Sequence, residues 1–188
     1  MRQDGQRLLV VLADGAGGTG GGAAAAQAFC DLVLAESRGE RPWTDVLCDI
    51  DERLAQLSNV GLCTGIAIEV VAGALRGASV GDSGAWLVTD VSILDLTELQ
   101  QAKPLLGSGE VKPIAIVPCL LEGRLLVASD GLFKYGRRSD IQRCATTGSL
   151  DDCAGALLDC VRLRNGRFQD DVSIVLAEAA AVRSSGRS

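Results

Sequence analysis

The order of hydrophobic patterns along this 188-residue chain predicts an α+β fold. A first apolar strand is followed by two segments with helical periodicity, several short strand-like runs fill the middle, and a helix and a strand close the chain. Short turns containing Gly or Asp separate the central runs, which is typical of antiparallel strands. This order favours antiparallel sheets whose outer faces are covered by helices.

The N-terminal third predicts one strand and two helices. Residues 8–13 form an apolar run that predicts a buried strand, and a glycine-rich turn leads from it into an Ala-rich helix at about residues 23–37. Pro42 is placed as in the first turn of a helix, and the apolar residues after it recur at helical spacing. We therefore expect a second helix here and not a second strand.

The remainder of the chain predicts an antiparallel meander, two short helices and a closing strand. Glu122 and Gly123 lie between two apolar runs and are typical of a hairpin turn. Ser139 is a candidate N-cap of one helix, and Ser149 is a candidate N-cap of another that ends near residue 164. The predicted strands are residues 64–72, 75–80, 85–89, 91–96, 114–121, 124–128 and 172–177, with a loop at 103–113.

Length and charge limit the domain count and the kinds of partner. A chain of 188 residues supports one well-buried core, so we expect a single domain at 1–178 and a flexible tail at 179–188. The net charge of −6 argues against binding to nucleic acid or to an anionic membrane. No apolar run reaches the roughly 18 residues of a membrane span, and the N-terminus does not resemble a signal peptide. We expect a monomeric cytoplasmic protein.

The absence of histidine and the spacing of the cysteines exclude several chemistries. Without histidine there is no Ser-His-Asp triad and no His-ligated metal. The seven cysteines include no CxxC pair, which argues against a zinc site or a secreted disulfide framework. None has Arg six residues after it, as a cysteine-phosphatase loop requires. We interpret them as reduced structural thiols, so the chemistry must use carboxylates, backbone groups, Lys, Arg and bound ions.

Four aspartates lie at the ends of apolar runs, each beside Gly, Ser or another Asp. They are Asp14, Asp82, Asp130 and Asp170. A carboxylate at a strand end is delivered to the edge of a sheet, and several carboxylates gathered there repel one another unless they hold a hard cation. The pattern therefore predicts a metal centre.

The glycine-rich segment at residues 15–20 supports three interpretations. It matches the dinucleotide-binding fingerprint, but the next predicted element is a helix and not the second strand of a βαβ unit. No Gly-Lys-Ser/Thr follows, so a P-loop is excluded. The glycines can also form a tight turn that packs a helix closely on its strand. In the third interpretation, the Asp14 carboxylate and the Gly15 carbonyl bind cations at the strand end.

Asp49 and Asp51 offer a rival phosphatase motif. Their spacing is that of the aspartyl pair of haloacid-dehalogenase-type enzymes. That motif requires a strongly apolar strand before it and Thr or Val where this chain has Arg53. The surrounding pattern is helical, so an exposed acidic helix face is the favoured interpretation.

Five motifs in sequence resemble the metal-dependent, type 2C serine/threonine protein phosphatases, the PPM family. They are VLADGAGG at residues 11–18, GLCTG at 61–65, SVGDSGAWL at 79–87, LVASDGL at 126–132 and DDVSIV at 170–175. The resemblance extends from residue 10 to residue 176. It implies a four-layer αββα sandwich of two antiparallel sheets flanked by helices, which agrees with the order of elements predicted above.

The resemblance also implies a mechanism and a set of metal ligands. In that family two Mn²⁺ or Mg²⁺ ions, with a third possible, activate a water for in-line hydrolysis of phosphoserine or phosphothreonine in a phosphoprotein, without a covalent intermediate. Asp14 would bridge the metals and the Gly15 carbonyl would bind one of them. Asp130 and Asp170 would bind the other, and Asp82 an additional weaker ion. Asp14, Asp130 and Asp170 are thus the expected catalytic residues of a signalling phosphatase.

The chain departs from the family pattern at several positions. The N-terminal strand carrying a phosphate-binding Arg and an acidic group is missing, and Arg2 and Asp4 are candidate replacements at the wrong spacing. Lys134 stands where many relatives have another Asp, and Ala16 where they have His or Met. Residues 96–116 leave little room for a flap subdomain. A pseudophosphatase that recognises a partner without turnover is therefore an alternative, and a nucleotide-binding enzyme is a third.

Overall fold

The computed structural model of the chain describes residues 2–4, 7–17, 20–36 and 41–179. This part contains nine strands and five helices. The strands are β1 (Arg2–Asp4), β2 (Arg7–Leu12), β3 (Gly65–Val71), β4 (Ala74–Val80), β5 (Gly84–Val88), β6 (Ile93–Asp95), β7 (Ile114–Leu120), β8 (Arg124–Ala128) and β9 (Ile174–Glu178). The helices are α1 (Gly22–Ala35), α2 (Trp43–Ala55), α3 (Asp130–Tyr135), α4 (Arg138–Thr146) and α5 (Leu150–Val161).

The strands form two antiparallel sheets that pack face to face. The first has the order β1-β2-β3-β4-β7 and the second the order β6-β5-β8-β9. Helices α1 and α2 cover the outer face of the first sheet, and α3, α4 and α5 cover that of the second. The predicted αββα sandwich is confirmed.

Strand β2 shows why the central strands are apolar along their whole length. Val10 and Leu12 point into the core between the two sheets, whereas Leu9 and Val11 point into the core beneath α1 and α2. All four are buried. A strand buried on both faces needs apolar residues at every position, and this strand leads directly to Asp14.

Two predicted strand pairings are wrong. Residues 114–121 and 124–128 do not form a hairpin, because β7 pairs with β4 in the first sheet while β8 pairs with β5 and β9 in the second. The central meander is also divided between the sheets, since β4 and β5 belong to different ones. Turn residues indicate that the chain changes direction, but they do not determine which strand the next strand will pair with.

Of the two predicted N-caps, the one at Ser149 is confirmed and the one at Ser139 is wrong. Ser149 is the N-cap of α5, and its hydroxyl and the Asp152 side chain form a reciprocal capping box. That helix ends at Val161, before the predicted residue 164. Ser139 lies inside α4, whose N-cap is Arg137. Strand β1 and the six-residue helix α3 were not predicted, because both are too short to show a period.

Other predictions concern the chain ends and the membrane. Arg2 and Asp4 lie in β1, which pairs with β2 at the edge of the first sheet. Of the predicted tail, residues 180–188 lie outside the described residues. Within the described part of the chain, each helix is too short or too polar to cross a bilayer.

Candidate metal centre

The four predicted aspartates line one cavity of about 300 Å³. Asp14 follows β2, Asp82 follows β4, Asp130 is the first residue of α3 after β8, and Asp170 precedes β9. Gly15 lines the same cavity. The site thus lies where both sheets end, and it receives residues from segments up to about 150 positions apart in the sequence, a distance that no local pattern determines.

Asp14 is held by backbone contacts with the segment before β3. Its N–H donates to Thr64 Oγ1 at 3.1 Å, and its carbonyl accepts from the Thr64 N–H at 2.8 Å. A Cβ atom on Gly15 would clash with the backbone of Gly22 at the start of α1. Glycine therefore allows the helix to pack closely against the turn, as the packing interpretation of the glycine-rich segment requires.

A buried pair of hydroxyls connects the Asp14 turn to the Asp82 turn. Thr64 Oγ1 and Ser83 Oγ lie 2.6 Å apart, and both side chains are buried. The Ser83 carbonyl accepts a hydrogen bond from Gln100 Nε2 at 2.6 Å. Because Thr64 contacts the Asp14 backbone and Ser83 follows Asp82 directly, one hydrogen-bond network holds the turns that carry both of these carboxylates.

The segment that carries Asp170 is tied to the start of α3. Ser129, which precedes Asp130, donates its N–H to the Ser173 carbonyl at 3.0 Å and its hydroxyl to the Asp171 carbonyl at 3.1 Å. The Ser129 Oγ also accepts from the Ser173 N–H at 3.0 Å. These bonds hold the segment that carries Asp170 beside the start of α3, which carries Asp130. They arise from residue types that sequence patterns do not distinguish from ordinary turn residues.

The site concentrates negative charge. The pKa of Asp14 is raised to about 6, first by burial and then by repulsion from Asp130, Asp170, Asp171 and Asp82. Burial, followed by repulsion from Asp82 and Asp170, also raises the pKa of Asp130. Carboxylates so arranged favour any species that brings positive charge to them, either protons or cations. The sequence did not predict the fifth carboxylate of the cavity, Asp171.

The carboxylates line one cavity but are not clustered around a single ion position. Among the described residues, no three Asp, Glu or Cys side chains are placed so that together they could hold one ion. The structure therefore brings the predicted ligands to one cavity, but their roles as ligands remain a prediction.

Lys103 is a cavity residue that the sequence did not predict. It lies in the loop between β6 and β7 and lines the cavity with Ala102 and Leu105. Among the described residues that line the cavity, it is the one with a positive charge. Two backbone hydrogen bonds between Leu106 and Cys63, at 3.0 and 3.1 Å, hold this loop against the segment that leads to Thr64. Lys103 has no neighbouring motif from which its position could be inferred.

Asp51 anchors the same loop from the other side. Its carboxylate accepts hydrogen bonds from the Gly107 N–H at 2.6 Å and the Val111 N–H at 3.1 Å. The side chain is buried, with 2% exposure. The prediction of an exposed acidic helix face therefore holds for Asp49 but is wrong for Asp51. The helical context that argued against the dehalogenase-type motif is confirmed, because both residues lie in α2.

The topology does not support the dinucleotide-binding interpretation. Strand β2 is followed by two helices, and the next strand, β3, pairs with it antiparallel. A βαβ unit requires parallel strands.

Lys134, which stands where many members of the family have another Asp, is exposed, and its Nζ lies 5.4 Å from the centre of the Tyr135 ring. Its predicted effect on an additional metal stays a prediction.

No protein-family model matches this sequence, and no curated protein matches it significantly. Solved structures do match it. An arginine-to-glutamate variant of a bacterial serine phosphatase has a TM-score of 0.78 and 24% identity, over 93% of this chain and 86% of that chain. The serine/threonine phosphatase Stp1 from Staphylococcus aureus has a TM-score of 0.77 and 21% identity, over 95% and 91%. RsbX in complex with magnesium has a TM-score of 0.72 and 18% identity, over 94% and 83%.

These matches establish the fold of the chain. It is the fold of bacterial serine/threonine phosphatases, and it is shared along nearly the whole length of both this chain and theirs. The fold implied by the resemblance to the PPM family is confirmed. Activity and ligands depend on the site and not on the fold.

Proposed function

We propose that this chain is a metal-dependent phosphatase of the PPM type that hydrolyses phosphoserine or phosphothreonine in a phosphoprotein. The observation that carries this proposal is the convergence of Asp14, Asp82, Asp130 and Asp170 on one cavity. The sequence pattern alone predicts these four as ligands, and they line one cavity in a chain that has the fold of bacterial serine/threonine phosphatases. A chance placement of four distant residues at one cavity is a weak alternative explanation.

The residues present fit a site for divalent cations. Carboxylate and carbonyl oxygens are the donors that Mg²⁺ and Mn²⁺ prefer, and burial together with the neighbouring aspartates raises the pKa of Asp14, a cost that a bound cation would relieve. Asp14, Asp130, Asp170 and the Gly15 carbonyl would hold two ions, and Asp82 a third. When bound, such ions lower the pKa of a water molecule and attract phosphoryl oxygens. RsbX, one of the structural neighbours, was solved with magnesium.

The residues of the chain itself would position and orient. The Thr64 and Ser83 hydroxyls hold the turns that carry Asp14 and Asp82, so the spacing of these carboxylates is set before any ligand arrives. Lys103 would contribute a positive charge to the substrate phosphate. In this respect it would take the phosphate-binding role that the family pattern gives to an N-terminal arginine, for which Arg2 is the sequence candidate.

The pseudophosphatase alternative is supported by one observation. No three of the described acidic or cysteine side chains are placed to hold one ion. A chain that binds metal weakly could retain the fold and recognise a phosphoprotein partner without turnover. The two functions differ in one measurable property, which is hydrolysis that depends on added metal.

The test is hydrolysis of p-nitrophenyl phosphate and of a phosphothreonine peptide by the full chain, with and without Mn²⁺. The proposal predicts turnover of both substrates that requires the metal and disappears on chelation. Mn²⁺ binding without turnover of either substrate would support the pseudophosphatase. Turnover that persists under chelation would contradict the proposed chemistry.

A further inference from the structure

Two of the cysteines face each other across a helix pair. Cys144 in α4 and Cys160 in α5 have their Sγ atoms 3.1 Å apart. Helices α4 and α5 are joined by residues 147–149 only, and they pack against each other and against the second sheet. A disulfide bond has a length of about 2.05 Å, so small side-chain rotations would bring the two sulfurs to bonding distance.

The two thiols differ in accessibility. Cys144 is buried, with 8% exposure, and Cys160 is half-buried. Burial and the adjacent Cys144 thiol raise the pKa of Cys160 to about 12. Little thiolate is therefore present near neutral pH, so reaction with an oxidant will be slow compared with that of an exposed cysteine. The high pKa slows disulfide formation but does not change the distance between the two sulfur atoms.

The other thiols of this region are less well placed. Cys153 lies seven residues before Cys160 on the same helix, so the two are about 10 Å apart along its axis. A disulfide requires Cα atoms within about 7 Å. The Cys153 thiol is also occupied, because its Sγ accepts from Arg124 Nη1 at 2.9 Å and donates to the Thr147 carbonyl at 3.3 Å.

We propose that Cys144 and Cys160 form an intramolecular disulfide that joins α4 to α5 when the protein meets a small disulfide oxidant such as oxidised glutathione. The Cys160 thiolate attacks one glutathione sulfur, breaks the S–S bond and releases the first reduced glutathione. The Cys144 thiolate then attacks the Cys160 sulfur and releases the second. Two protein thiols are oxidised by two electrons, the glutathione disulfide is reduced by the same two, and both protons end on the released thiols.

The bond would stabilise the helix layer without closing the cavity. It would link two positions 16 residues apart, and so restrict the unfolded chain more than the folded one. The carboxylates of the cavity lie on other segments. The inference is therefore independent of the proposed phosphatase function.

The test is incubation of the full chain with oxidised glutathione at mildly alkaline pH, followed by alkylation, intact mass and peptide mapping. We expect an intact mass lower by two hydrogens before alkylation, two fewer alkylated thiols after it, and a linked peptide pair that contains Cys144 and Cys160. The melting temperature should rise by roughly 5 °C and return on reduction.

Matched variants make the result specific. In Cys144→Ser the second step is blocked, so one glutathione should remain attached at Cys160. In Cys160→Ser neither the disulfide nor that adduct should form, and Cys119→Ser, a substitution in β7, should behave like the wild type. The inference is overturned if mapping finds another pair, if Cys144→Ser still loses two thiols without an adduct, or if wild type yields only glutathione adducts.

Discussion

Glu69, buried in strand β3, and Asp14, partly buried just after strand β2, show two different environments for a carboxylate. Glu69 on β3 is 2% exposed and has arginines on both neighbouring strands. Arg7 forms an ion pair with it, and Arg76 Nε donates to its Oε2 at 2.7 Å. Asp14, just after β2, instead has four other aspartates as its electrostatic neighbours, and burial followed by their repulsion raises its pKa to about 6.

The difference distinguishes a structural charge, Glu69, from one that we propose to be functional, Asp14. A buried charge is tolerated in a core when a partner neutralises it. A carboxylate left among other carboxylates costs stability, and such strained positions cluster at functional sites. Charge balance therefore indicates which acidic residues of this chain to test for function.

The largest effect is expected from Asp14→Asn and Asp130→Asn. Each removes a proposed metal ligand, so kcat should fall by about 10³-fold or more. The melting temperature should stay the same or rise, because a repulsive charge is lost. Steady-state kinetics in Mn²⁺ and thermal unfolding of the same preparations measure both. If both variants retain activity, these residues have been assigned wrongly.

The reverse pattern is expected for Glu69→Gln. This substitution leaves Arg7 and Arg76 without their shared carboxylate, and we expect a loss of about 2–3 kcal/mol in the free energy of unfolding. Activity per folded molecule should not change. Urea unfolding and kinetics below the transition test this expectation. A stable variant with reduced turnover would show that Glu69 is not simply structural.

A smaller effect, on Mn²⁺ affinity, is expected when the hydroxyls that support the Asp14 and Asp82 turns are removed. Thr64→Val removes the acceptor of the Asp14 N–H, and Ser83→Ala removes the hydroxyl that contacts Thr64. Each should weaken Mn²⁺ binding by about tenfold, measured by calorimetry. The double variant should lose less than the sum of the two in free energy, since both act through one network. Additive losses would mean that the hydroxyls act separately.

Lys103→Met tests the cation of the cavity. If Lys103 contacts the substrate phosphate, KM should rise about fivefold while Mn²⁺ affinity stays unchanged. Lys103→Arg should keep most of the affinity, because the charge is retained. Lys112→Met, at an exposed position later in the same loop, is the control. Equal effects at both lysines would indicate general charge attraction and no specific contact.

The smallest effect is expected for Asp49→Asn. Asp49 makes an exposed ion pair with Arg41 at 2.7 Å, and solvent screening leaves such pairs with little effect on stability. Activity should be unchanged. A large loss of kcat on this substitution would revive the dehalogenase-type interpretation of Asp49 and Asp51.

Sequence reasoning located the proposed ligands because their signal is local. An apolar run that ends in Asp next to a small residue can be recognised in isolation, and strand ends meet at sheet edges. Local patterns also predicted α1, α2, α4 and α5, with Ser149 as the N-cap of α5, but not the short helix α3. The signal for β7 and β8 was equally local, but the sheet each strand joins depends on distant partners.

The parts that sequence reasoning missed depend on long-range contacts. Asp51 looks like one more acid on a polar helix, and only the amides of Gly107 and Val111 make it a buried anchor. Glu69 is compensated by arginines from two other strands. Lys103 reaches the cavity through a loop without periodicity. In each case the role of the residue is decided by a contact with a distant segment, which the local sequence around the residue does not reveal.

Anomalous diffraction from crystals of the protein soaked in Mn²⁺ tests the proposed centre most directly. We expect peaks inside the cavity, with carboxylate oxygens of Asp14, Asp130 and Asp170 within about 2–2.5 Å of them. Manganese bound only at surface carboxylates, with the cavity holding none at saturating concentration, would contradict the assignment of these aspartates as metal ligands.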